Sequence, residues 1–183
     1  MTAERERREG PLAEFVEKLR SPSALTRRVP GTAIFLNRGK RTAPLALRAN
    51  LEHNHVRHAH VVIVAVQTEP VPRVPAEERV TVDDLGYAED GITHVTARFG
   101  YMETPDVPAT LRSLDPSATE GPLDLDNASY FLSKIELTRG TAPTMAAWRK
   151  RLFIATSYIT ADAAEHFGLP RGRTVIMGAQ IDV

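Results

Sequence analysis

Apolar positions along the chain fall into two periods, one helical and one extended. Leu12, Phe15, Val16 and Leu19 are spaced by three, one and three, which sets a single apolar stripe on a short helix. Ser21-Pro22-Ser23 ends it. The segment before Gly10 is almost wholly polar, either a solvated helical lead-in or a frayed end. After Val29-Pro30-Gly31, the run Thr32-Ala33-Ile34-Phe35-Leu36 predicts a short buried strand. A polar loop from Asn37 to Arg41 follows, with Gly39 as its turn residue. Pro44 suits the first position of a helix, because its missing N–H would be unpaired there anyway. Leu47 and Leu51 share one face of that helix, which should end near His53-Asn54. Val61 to Val66 is apolar at every residue and continues through Gln67 and Thr68, a strand covered on both faces. Strand, helix and strand make a βαβ unit with an expected right-handed crossover.

The middle of the chain changes character. Pro70, Pro72 and Pro75 predict a loop that cannot be a central strand. Arg79 to Val82 reads as a strand and Asp83 to Asp90 as a turn region. Ile92 to Phe99 alternates apolar with polar side chains, predicting a strand with one buried face that pairs with the previous one as an antiparallel hairpin. Residues 106–114 read as a helix with Val107, Leu111 and Leu114 on one side, and residues 115–127 as a surface loop. Ser129 to Leu137 predicts a strand. Met145, Trp148, Leu152, Ala155 and Ile159 form the clearest helical stripe in the chain. Ala161 to Phe167 is a short helix stopped by Gly168 and Pro170, and Val175 to Val183 closes the chain as a strand. The expected fold class is therefore α/β: a single domain whose mixed sheet is built from a βαβ unit, a central β-hairpin and further helix–strand elements.

Composition narrows the partners. The 183 residues suit one hydrophobic core. The 23 basic and 23 acidic residues cancel, so no overall positive field draws nucleic acid, and no nucleic-acid partner is expected. Arg149-Lys150-Arg151 beside Trp148 reads as a solvated helix face. With no cysteine there are no disulfides, thiolate nucleophiles or zinc-thiolate sites. The longest apolar run is far short of the roughly 20 residues of a membrane helix, and Met1 to Gly10 has no signal-peptide core. The chain as given is expected to be soluble.

Two clusters could carry chemistry. Four of the six histidines, His53, His55, His58 and His60, fall within eight residues, a density that can bind zinc, nickel or copper. His55 and His58 could share a helix face and are the speculative metal pair, with Glu52 to complete the site; His58 and His60 would share a strand face. The plainer reading is a polar helix-to-strand junction, and no metal is favoured. The turn Arg38-Gly39-Lys40-Arg41 holds three cations and one glycine just before a helix, which favours an anion, and ligands in α/β proteins collect outside the carboxyl ends of strands. Phosphate-loop and dinucleotide glycine motifs, a nucleophile elbow and a calcium loop are all missing. No catalytic residue and no cofactor is expected, and an enzyme is not indicated.

Five ordered stretches carry a resemblance. They are Arg28-Val29-Pro30-Gly31-Thr32-Ala33-Ile34-Phe35-Leu36; Leu51 to His58; Val71-Pro72-Arg73-Val74-Pro75 with Arg79-Val80, then Arg98-Phe99-Gly100-Tyr101-Met102-Glu103 and Pro105-Asp106-Val107-Pro108; Ser129-Tyr130-Phe131-Leu132; and Met145 with Trp148-Arg149 and Leu152-Phe153. In order and spacing the chain resembles, from about Pro11 to Val183, the carboxy-terminal domain of Kup-type (KUP/HAK/KT) potassium uptake permeases. The resemblance implies a helical lead-in from an absent membrane domain over residues 1–27 and a cytoplasmic α/β domain over residues 28–183. It further implies a regulatory or assembly role on the cytoplasmic side of the cell membrane, in a potassium:proton symporter. The implied partners are the transmembrane domain of the same transporter and a second copy as a homodimer. Relatives of this superfamily carry tails that answer to cyclic dinucleotides, so a small nucleotide at the basic turn is the alternative. His53 and His58 stand where the family has histidine and His55 and His60 do not, which weakens a four-histidine site.

Overall fold

The computed structural model describes residues 9–20, 27–37, 39, 41–85, 90–119, 122–138 and 163–182; the side chains within 134–138 and 179–182 are not described. In chain order the elements are α1 (Leu12–Arg20), β1 (Arg27–Asn37), α2 (Leu45–Asn54), β2 (Val56–Glu69), α3 (Ala76–Arg79), β3 (Val80–Asp83), β4 (Ile92–Gly100), α4 (Val107–Arg112), β5 (Ser129–Thr138), α5 (Ala163–His166) and β6 (Thr174–Asp182). The helix expected around Met145 to Ile159, with Arg149-Lys150-Arg151, lies outside the described residues.

The strands form one six-stranded mixed sheet in the order β3-β4-β2-β1-β5-β6. All neighbouring pairs are parallel except β3 with β4, the expected antiparallel hairpin. Counting only the parallel strands, the order is third, second, first, fourth, fifth. This is the doubly wound arrangement, in which the winding direction reverses between the first and fourth strands. The reversal point lies between β1 and β5.

Strand side chains alternate between two covered faces. Ile34, Leu36, Val62, Val64, Val95, Ala97, Tyr130 and Leu132 pack with Val107 and Leu111 of α4 and Ala164 of α5. Ala33, Phe35, Val61, Ile63, Ile92 and Phe131 pack with Leu47 and Leu51 of α2 and with Leu12, Phe15 and Val16 of α1. The stripe predicted for α1 is thus the surface that joins it to the core. Phe35 and Phe131, neighbours across β1 and β5, stack with ring centroids 4.6 Å apart.

Three strands differ from the expected pattern, and the first of them, β1, starts at Arg27 rather than Thr32. The second strand begins at Val56 rather than Val61, because Val56 to His58 pair with Arg27 to Val29 of β1. A register shift then absorbs Pro30 and Gly31; proline cannot donate to the ladder, and Gly31 has φ 103°, open to glycine and costly for other residues. In β4 the alternation predicted one buried face, yet both are buried, His94 and Thr96 included. By alternation His94 and Thr96 share the face of Ile92, which belongs to the cluster packed under α1 and α2, so these polar side chains mark the less apolar face rather than a wet one.

Candidate functional site at the carboxyl edge of the sheet

β1, β2 and β4 run parallel, so the loops that follow them gather at one edge. The loop after β1 is the basic turn. Arg38 and Lys40 lie outside the described residues; Arg41 is exposed. The turn is shaped from below by Asn37, whose buried Nδ2 donates to the carbonyls of Gly39 at 3.0 Å and Thr42 at 2.5 Å. The entering chain closes it from the side: Leu12 N–H donates to Arg41 O at 2.8 Å, and Ala43 N–H to Gly10 O at 3.2 Å. The start of α2 was expected to offer free N–H groups to an anion. One of these, on Ala46, instead donates to Ser133 Oγ of β5 at 2.8 Å, bridging the reversal point.

The histidines are dispersed over three backbone contexts. His53 is in the last turn of α2, and His55 caps that helix in a left-handed conformation with φ 53°. His58 and His60 are in β2. The structure thus places His55 and His58 on different elements rather than on one helix face. His58 is half-buried near the Phe131 ring, at a centroid distance of 6.1 Å, and burial holds its pKa below the ordinary value. Among the described residues no group of three or more His, Asp or Glu is placed to hold a metal ion.

The loops after β2 and β4 are tied to one another. Tyr101 N–H donates to Val71 O at 2.9 Å and Met102 N–H to Pro72 O at 3.1 Å. Beneath them Glu103 Oε2 accepts from Gly100 N–H at 2.7 Å and Val74 N–H at 3.0 Å, while Oε1 pairs with Arg79. Those two backbone donors, with the Arg79 charge adding to them, hold the Glu103 carboxyl below the ordinary carboxylate range. Arg79 also donates to Val74 O at 2.9 Å and lies 5.6 Å over the Phe99 ring. Beyond the clamp, Asp106 caps α4 by accepting from Ala109 N–H at 2.8 Å. Glu103 and Arg79 both stood in the stretches of resemblance, but nothing local in the sequence pairs residues on separate loops. Asn37 and Ser133 gave no sequence signal at all.

The contacts described at this edge tie one loop to another. Among the described residues, no helix is long and apolar enough to cross a membrane. A family model described as "K+ potassium transporter C-terminal domain" matches residues 30–183. A "Probable potassium transport system protein Kup" of Rhodococcus jostii is 68% identical over 183 residues, all of this chain but 28% of that protein. Its namesake from Anaeromyxobacter is 42% identical, over 94% of this chain and 26% of its own length. The "Kup 1" protein of Paramagnetospirillum magneticum is 37% identical over the same shares. The chain thus spans about a quarter of the length of these relatives. No solved structure matches it. The family-model match over residues 30–183, together with a relative 68% identical over the whole of this chain, makes the chain a member of the K+ potassium transporter C-terminal domain family.

Proposed function

We propose that this chain is the cytoplasmic regulatory and assembly domain of a potassium uptake transporter, acting on potassium flux through contact with the membrane part of the same protein. The observation that carries the reading is a sheet edge built for holding loops, not for chemistry, in a chain whose relatives are named as potassium transport proteins of about four times its length. The domain is not an enzyme in this reading, needs no cofactor, and pairs with a second copy; coupling to protons belongs to the membrane part. Deleting the domain from the full-length protein and measuring potassium uptake and assembly is the test. Unchanged uptake and assembly would sink the idea.

A second reading, a nucleotide sensor at the basic turn of Arg38, Gly39, Lys40 and Arg41, is favoured by the position of its described members, Gly39 and Arg41, after β1 and so beside the reversal point, where doubly wound sheets bind ligands. Against it, the Ala46 N–H at the start of α2 is already occupied by Ser133. Calorimetry with adenine nucleotides and cyclic di-AMP tests it, and silence at millimolar ligand ends it.

A further inference from the structure

Almost every residue of the stretch Phe99 to Pro108 has a structural task. Phe99 is core, Gly100 fits against the backbone of Pro72, Glu103 is the clamp, Pro105 and Pro108 are buried, Asp106 is a helix cap and Val107 is core. Tyr101, Met102 and Thr104 are the residues given no such task, and Tyr101 and Met102, 62% and 68% exposed, are the most exposed large hydrophobic side chains of the described residues. Val71, bonded to Tyr101 through the backbone, is 41% exposed beside them. An aromatic ring, a thioether and a branched side chain are therefore exposed on a tip tied down by three backbone–backbone hydrogen bonds, two backbone N–H bonds to the Glu103 carboxylate and one ion pair. Ordering a loop in advance removes an entropic cost of binding, and aromatic residues and methionine are typical of interface cores.

The position of the tip identifies what it meets. The chain enters the described structure at Glu9 to Pro11, where Pro11 bridges Thr42 and Gly10 O accepts from Ala43 N–H, just past the carboxyl end of β1. The tip lies just past the carboxyl ends of β2 and β4. β4 is two strands from β1, a lateral offset of about 10 Å. In the relatives roughly three quarters of the protein lies outside this domain, and a carboxy-terminal domain receives that part through its entering segment. From the shared edge, we propose that Val71, Tyr101 and Met102 form the surface by which this domain docks onto the preceding part of its own transporter chain, seated in an apolar pocket there. This rests on the reading that the domain works in contact with that part.

The test uses the full-length transporter in membranes, with the photoreactive p-benzoylphenylalanine in place of Tyr101 or Met102 and, as control, in place of the exposed Val175 of β6. Mixed isotopically light and heavy chains separate contacts within one chain from contacts between copies. The expected result is a light-with-light or heavy-with-heavy adduct from 101 and 102 to peptides preceding Glu9, absent from the Val175 control. Adducts only to a second copy, only to lipid, or no more frequent than in the control would overturn the proposal. In parallel, potassium uptake is compared for wild type, the domain deletion and Y101S/M102S, whose melting as the separate 183-residue chain should match wild type because both side chains are exposed. The double variant should reproduce at least half of the change that deletion produces. A deletion that alters uptake while the double variant does not refutes this surface and leaves the regulatory reading standing. The adduct formed within one chain, with uptake indifferent to deletion, supports the surface and refutes the regulatory reading.

Discussion

Replacing Gly100 by alanine would test whether the clamp is as tightly built as its geometry states. A Cβ on residue 100 would stand 2.3 Å from Pro72 O, 2.4 Å from Pro72 C and 2.6 Å from Arg73 N. An ordinary carbon–oxygen approach is about 3.3 Å, so the overlap is about 1 Å, and all three atoms are backbone that no rotamer can move aside. Shifting the loop after β2 by that much stretches the Tyr101–Val71 and Met102–Pro72 bonds, now 2.9 and 3.1 Å, past the limit of a hydrogen bond. Two bonds at about 0.5–1.5 kcal/mol each give a loss of about 1–3 kcal/mol, the range found for overpacked sites. For a chain of this size that is roughly 2–12 °C in melting midpoint. Gly172→Ala is the control, since nothing lies within 4 Å of its Cβ, and it should stay within about 0.5 kcal/mol of wild type. Thermal and urea denaturation of the 183-residue chain read both variants. If Gly100→Ala matched Gly172→Ala, the close approach of the two loops would be wrong.

Other substitutions probe the layers beneath. Leu47→Ala empties a side chain that is 1% exposed on the α2 face and should cost about 2–5 kcal/mol in urea unfolding. Ser133→Ala leaves the buried Ala46 N–H without its acceptor and should cost about 1–3 kcal/mol, measured in the same way. Glu103→Gln should change the pH dependence of stability. The folded carboxyl titrates below its ordinary value of 4.5, so its contribution is complete above that value and drains away as pH falls through the lower folded one. The stability gap between wild type and Glu103→Gln should therefore be widest near neutral pH and close below pH 4.5, which acid titration of the melting midpoint would show.

Periodicity made the architecture readable because most elements here obey it. The stripe of Leu12, Phe15 and Val16, the unbroken Val61 to Val66 and the proline-marked loop at Pro70 to Pro75 each became the element that they predicted. Local pattern failed where pairing decided the outcome. Val56 to His60 is polar by composition but is a strand, because β1 supplies its partner. His94 and Thr96 alternate with apolar residues yet are buried, because both faces of the sheet are covered and they share theirs with Ile92 of the α1–α2 cluster. The candidate site was readable only in part. The basic turn was visible as a run of cations before a helix, whereas Arg79 with Glu103 and Ala46 with Ser133 are contacts between residues 24 and 87 positions apart. Their meaning exists only once the sheet has brought loops to one edge.

The measurement closest to the central claim is potassium influx, traced with rubidium at low and at saturating external concentration, in cells lacking other uptake systems. Full-length transporter is compared with transporter ending just before Glu9, each normalised to its amount in the membrane. The account predicts that the shortened protein still reaches the membrane but carries flux with an altered KM or maximal rate, and that restoring the domain with Tyr101 and Met102 intact recovers it. Influx per transporter that is the same with and without the domain at both concentrations would contradict the account.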